Sequence, residues 1–173
     1  MNYATIKPYD IANGKGVRVS LFVSGCRHHC KNCFNKEAWD FSYGDPFTEE
    51  IKQKIFEYLA PDYISGITLL GGEPFEPENQ EALTNLLKEI RQKFPNKVIW
   101  CYTGFVFDKE LLGSSRAVTQ FTIPMLEQID VLVDGRFVEE LKDISLKFRG
   151  SSNQRIIDVQ KSLKEKQVVL YNL

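Results

Sequence analysis

An excess of charge of either sign is what this sequence lacks most: 22 lysines and arginines stand against 23 aspartates and glutamates, a formal charge of −1. That balance excludes the basic footprint expected of a nucleic-acid-binding surface or of one that docks on anionic lipid. Long apolar runs are also missing, so no segment reads as a membrane span. The opening Met1-Asn2-Tyr3-Ala4 does not begin a signal peptide. Cysteine and histidine are scarce, at four and two. Three of the cysteines are bunched together, where bridging would leave an odd thiol, so they read as metal-binding or catalytic rather than as a disulfide framework. A cytoplasmic setting with reduced thiols is the expectation. Internal repeats, low-complexity tracts and linkers are absent as well.

What is present is an ordinary globular balance, 43% hydrophobic and 26% charged, over a length suited to a single domain spanning 1–173. Cys26, Cys30 and Cys33 are spaced C-x-x-x-C-x-x-C directly after an apolar run. Three soft ligands this close suit iron–sulfur or zinc chemistry. A closed structural site takes four protein ligands, so three leave one position open. The competing reading is zinc, with His28 or His29 as fourth ligand. Both histidines sit between cysteines, where folding back into one tetrahedron is difficult, and both are expected to face solvent. Cys101 is a further candidate ligand, although its neighbours Trp100 and Tyr102 read as a buried strand. A 4Fe–4S cluster with one iron free of protein ligands is the favoured reading.

Taken in order, residues 3–16 read as irregular and Val17 to Val23 as a first strand. Residues 35–47 read as a packed, aromatic connection. Thr48 is an expected N-cap of a helix through Leu59, closed by Pro61. Gly66 to Leu70 reads as a second strand, followed by a periodic helix (Ala82, Leu83, Leu86, Leu87, Ile90, Phe94). Lys97 to Tyr102 and Val131 to Val133 are the third and fourth strands. Between them two short helices are expected, interrupted at Gly113 to Ser115 and at Pro124. Leu146 to Arg149, Ile156 to Val159 and Val168 to Tyr171 are weaker strand candidates.

Strands alternating with helices predict an α/β fold with a mainly parallel sheet. A closed eight-stranded barrel takes about 250 residues, so an incomplete, open (β/α) barrel is the expectation. Each chemically suggestive stretch follows a strand: the cysteines, Gly71-Gly72-Glu73-Pro74, Thr103-Gly104, and Asp134-Gly135-Arg136. Strand carboxyl ends share one edge in parallel folds, and ligands bind there. The four stretches should therefore meet. The glycine pair would let a ligand lie against the backbone, the carboxylate of Glu73 suits an ammonium group, and Asp134 and Arg136 suit a ribose or a carboxylate.

The cysteine spacing followed by Gly-Gly-Glu-Pro resembles the radical S-adenosylmethionine enzymes. Within that superfamily, "MNYATIKPYDIANGKGVRVSLFVSGC", "CFNKEAWDF", "VLVDGRF" and "RGSSNQR" together are similar to the activating proteins of anaerobic ribonucleotide reductases. The resemblance runs from Met1 to about Arg155. It implies the radical S-adenosylmethionine type of barrel, with Cys26, Cys30 and Cys33 holding a 4Fe–4S cluster whose open iron is chelated by S-adenosyl-L-methionine. It also implies Gly71, Gly72 and Glu73 along the methionyl part and Asn32, Cys33 and Phe34 beside the adenosyl part, with Thr103, Asp134 and Arg136 as further cofactor contacts. Asn32 stands where many of these enzymes carry an aromatic residue. Reductive cleavage of the cofactor would yield a radical that removes hydrogen from a glycine of the large reductase subunit, with no protein base or nucleophile required. The implied partners are that subunit and a low-potential electron donor such as a flavodoxin; a homodimer stays open. Two alternatives remain: an activase of another glycyl-radical enzyme or a small-substrate relative, and a zinc-binding adaptor.

Overall fold

The computed structural model describes residues 1–173. Seven strands form one sheet in the order β3-β1-β2-β4-β5-β6-β7. They are β1 (Asn2–Asp10), β2 (Val17–Val23), β3 (Asp45–Pro46), β4 (Ile64–Gly71), β5 (Val98–Tyr102), β6 (Val131–Asp134) and β7 (Arg155–Asp158). The helices are α1 (Glu49–Leu59), α2 (Pro77–Lys93), α3 (Thr122–Leu126) and α4 (Val159–Glu165), with a single π-type turn at Phe107–Leu111. The central strands β2, β4, β5 and β6 run parallel. The margins β1, β3 and β7 are antiparallel. The edge strands β3 and β7 do not pair with one another, so the sheet is open. None of the helices is long and apolar enough to cross a membrane.

Period-two alternation assigns the two faces of the sheet. Val19, Leu21 and Val23 of β2, Ile67 and Leu69 of β4, Ile99 and Cys101 of β5, Leu132 and Ile157 share one core with the apolar stripes of the helices. The other face carries Arg18, Ser20, Thr68, Trp100, Val131, Val133 and Ile156, all buried. Trp100 there packs edge-on against Phe148 and Tyr171. The predicted helices form where their signals stand. Thr48 Oγ1 accepts from the Ile51 amide, and Pro77 opens α2, where its missing N–H costs no intrahelical bond. Leu83, Leu86, Leu87 and Ile90 are fully buried, each contributing about 1.5–3 kcal/mol relative to exposure.

Several expectations change. Residues 3–16 are mostly β1, whose pairing with β2 shifts register between Lys7 and Asp10, around Pro8. Proline cannot donate to a ladder and breaks the local pattern that marks a strand. Pro124 does not interrupt a helix but lies in the first turn of α3, where amides lack partners anyway. Leu146 to Arg149 is irregular rather than a strand. The sheet has antiparallel margins, and the charged stretch after β7 is α4, capped by Asp158. The expected strand Val168–Tyr171 makes only the single bridge Ile157 to Leu170.

Candidate functional site

Beyond Val23 the chain crosses the end of the parallel strands as a loop. Its start is tied to the 3-10 turn Lys36–Trp39: the Gly25 amide donates to the Ala38 carbonyl at 2.8 Å and that of Cys26 to Trp39 at 3.1 Å. The loop then reverses at His29 (φ 48°) and Asn32 (φ 57°), two non-glycine residues in the left-handed region. Such conformations cost on the order of 1–3 kcal/mol and mark segments held for a purpose. The Cys33 amide donates to the Cys30 carbonyl at 3.1 Å, and the Asn35 amide to Cys33 Sγ at 3.4 Å. All four cysteines are free thiols.

Cys26, Cys30 and Cys33 line one cavity of about 880 Å³, together with Asn32, Phe34, Gly71, Gly72, Glu73, Thr103 and Arg136. The motifs after β2, β4, β5 and β6 therefore meet as expected from the parallel topology. Cys101 does not join them. It lies fully buried on the helix-covered face of β5, in the main core. Asp134 departs from its expected place too. It is 1% exposed, and its carboxylate accepts from Arg155 and, at 2.8 Å, from the Phe107 amide. It braces the turn after β5 instead of lining the cavity.

Gly72 explains the glycine pair differently from the expectation. A Cβ there would stand 2.6 Å from the Gly25 carbonyl oxygen and 2.9 Å from that of Ala38. The missing side chain lets the cysteine loop, rather than a ligand, lie against β4. Glu73 is likewise committed. Oε1 accepts from the Phe75 amide at 2.9 Å and Thr103 Oγ1 at 2.8 Å. Oε2 accepts from the Gly104 amide at 2.7 Å and lies 2.9 Å from His28 Nε2. Four donors occupy the lone-pair sites of one carboxylate, so none is left for an ammonium group.

His28 is the main residue the sequence reading misplaced: its side chain is 3% exposed, not solvent-facing. Nδ1 accepts from Arg136 Nε at 2.9 Å. With both ring nitrogens engaged, His28 is not available as a zinc ligand. His29 remains exposed and stacks on Trp39 with centroids 4.3 Å apart. Three further residues escaped notice: Glu76, Arg27 and Arg116. Glu76, with its side chain fully buried, accepts from the Arg27 amide at 2.8 Å and pairs with the guanidinium groups of Arg27 and Arg116. Their contacts join residues about 40 positions or more apart in sequence, so no local pattern announces them.

The donor set fits an iron–sulfur cluster. No three His, Cys, Asp or Glu side chains converge closely enough to hold a single metal ion. Zinc needs its ligands gathered about one point at about 2.0–2.3 Å, whereas a cluster takes thiolates at separate corners. An amide donating to a ligand sulfur, as Asn35 does to Cys33, is also typical of cluster sites. Burial pushes the Cys26 thiol up to about 12, helped by Glu73 and then Glu76. Burial also raises Cys30, with Cys33 adding to it. Ligation must therefore expel protons from these thiols.

A family model described as a 4Fe-4S single cluster domain matches residues 12–157. The anaerobic ribonucleoside-triphosphate reductase-activating protein of Haemophilus influenzae is 44% identical over 158 residues, covering 90% of this chain and 97% of its own. The chain belongs to this family of activating proteins. The Escherichia coli K12 member is also 44% identical, over 156 residues, 89% of this chain and 96% of its own. The member from Enterobacteria phage T4 is 39% identical over 156 residues, 90% and 93% of the two chains. The matched 4Fe-4S region runs from the loop before β2 to Ile157 in β7, and so takes in every strand end that feeds the cavity.

Proposed function

We propose that this protein is the enzyme that activates an anaerobic ribonucleotide reductase, by generating a glycyl radical on the large reductase subunit with a 4Fe–4S cluster and S-adenosyl-L-methionine. The observation that carries the reading is the meeting of three unbridged cysteines with four parallel strand ends in one cavity, in a chain that aligns with nearly the full length of named activating proteins. When bound, the cluster supplies a low-potential electron that splits a carbon–sulfur bond of the chelated sulfonium.

Cys26, Cys30 and Cys33 would hold the cluster. The backbone of Gly71 to Glu73, with Asn32, Phe34, Thr103 and Arg136, would hold the cofactor against it. Glu73 serves by bracing the strand ends rather than by meeting the amino group, and Asp134 serves from behind the wall. Phe34, 91% exposed at the cavity, gives the adenosyl part an apolar neighbour. No side chain is needed as general base, in keeping with the engagement of the Glu73 carboxylate by four donors. In this reading the open sheet would serve as the partial (β/α) barrel of radical S-adenosylmethionine enzymes, and its unclosed side would admit a protein substrate. An electron donor of the flavodoxin kind and a cytoplasmic setting belong to the same reading.

The test is anaerobic: the reconstituted protein, a reductant, S-adenosylmethionine and the large reductase subunit are combined and examined by electron spin resonance. A glycyl radical doublet is the expected result. A loaded cluster that cleaves no cofactor, or leaves the subunit without a radical, refutes the proposal.

A further inference from the structure

A socket for one imidazole is built into the wall of the cavity. The ring of His28 stands edge-on to Phe105, with centroids 4.5 Å apart at 65°. A Cβ at position 104 would come within 2.5 Å of His28 Cδ2, so glycine there admits the ring. The hydrogen bonds orient it. A carboxylate only accepts and a guanidinium only donates. The ring proton therefore sits on Nε2, facing Glu73 Oε2 at 2.9 Å, and the lone pair on Nδ1, facing Arg136 Nε at 2.9 Å. Arg116 Nη2 approaches the same Nδ1 at 3.4 Å.

A single side chain between Cys26 and Cys30 is thus fastened to the residues following β4, β5 and β6. Arg136 is the consequential partner. Its Nη2 donates to Glu110 at 3.0 Å and its Nε to His28, so two of its three nitrogens are anchored by the protein. Nη1 has no partner in the chain, and Arg136 lines the cavity that holds the three cysteines. A guanidinium held on one side and free on the other is a preorganised anion anchor.

We propose that His28 is a positioning residue that holds Arg136 as the anchor for the carboxylate end of S-adenosylmethionine, and so ties cofactor binding to the folded cysteine loop. This rests on the proposed function. It predicts that His28 acts through Arg136, whereas a residue that merely fills space would not.

The test uses the reconstituted full chain. His28→Phe fills the socket and keeps the ring contact with Phe105 but removes both nitrogens; His28→Gln restores a donor and an acceptor. Iron and sulfide content reports loading, and the change in the cluster's electron spin resonance spectrum on adding S-adenosylmethionine reports binding. Support of an oriented group beside a metal site is typically worth about 10–100-fold in affinity. His28→Phe should load its cluster and bind the cofactor weaker by that order, and His28→Gln should recover most of the loss. Arg136→Ala should show the same loss, and the double variant should be no weaker than either single one. His28→Phe binding as tightly as the wild type overturns the proposal, and so do losses that multiply. If His28→Phe fails to load, Arg136→Ala alone decides, and undiminished affinity there overturns it. A wild-type protein that loads but does not bind the cofactor refutes the functional reading itself.

Discussion

Replacing Glu73 by glutamine separates two uses of the same carboxylate. In the structure its two oxygens accept from four donors: the Phe75 and Gly104 amides, Thr103 Oγ1 and His28 Nε2. Glutamine has nearly the same shape but only one accepting oxygen. Whichever way the amide turns, two of the four donors face an NH2 group. The residue is 1% exposed, which leaves little room for water to take over. A buried donor left without its acceptor costs about 1–3 kcal/mol, so Glu73→Gln should destabilise the cluster-free protein by about 2–6 kcal/mol. That is a large part of the roughly 5–15 kcal/mol that holds a domain folded. Urea unfolding of the metal-free chain under reducing conditions measures it, as a lower midpoint at unchanged slope. If the carboxylate were kept for the ammonium group of a ligand, the metal-free variant would unfold with the wild type and only ligand binding would suffer. A midpoint indistinguishable from wild type would falsify the bracing role.

Other outcomes follow from the same coordinates. Cys26→Ala, Cys30→Ala and Cys33→Ala should each abolish stable cluster loading, read as iron and sulfide per chain. Cys101→Ala should load normally and lose only about 1 kcal/mol of packing, and equal loss of iron in that variant would make Cys101 a ligand. Gly72→Ala should destabilise by about 1–3 kcal/mol, because its Cβ meets backbone oxygens at 2.6 Å and 2.9 Å that are not free to swing away; thermal unfolding checks this. Acid should weaken the fold in a stated direction. Arg155 holds Asp108 below its usual 3.8, and Arg27 holds Glu78 below 4.5. Glu76 also lies below 4.5: burial acts to raise it, and Arg116 and Arg27 outweigh that. Groups with depressed folded values give their full stabilisation above the unfolded values and lose it as pH falls through the folded ones. Stability should therefore be level, as far as these groups go, from neutrality to about pH 5, and decline below 4.5. A rise in stability over that acid range would contradict these pairings.

Local patterns made the helical framework legible. The stripe Leu83, Leu86, Leu87 and Ile90, the cap at Thr48 and the runs of β2, β4, β5 and β6 each carry their signal within a few residues. The site was legible for the same reason, since three cysteines in eight positions need no tertiary information. Signals at the margins were weaker. β1 is masked by Pro8, β7 and α4 are short, and the segment 142–150 holds its place through contacts such as Phe148 on Trp100.

From sequence alone it follows that three soft ligands sit just past a strand, one fewer than a closed site takes, and that four strand-end stretches meet at one edge. Spacing and alternation are periodic properties of a chain, and they survive without knowledge of what the chain touches. Which polar groups face the cavity was decided only by the tertiary structure. Glu73 and Asp134 looked like ligand contacts and proved to be braces, while His28 looked solvated and proved to be buried. A carboxylate or an imidazole binds a ligand only if its lone pairs and protons are not already spent on the protein. That count depends on donors 30 and 45 residues away along the chain, which only the packed strand ends bring within reach.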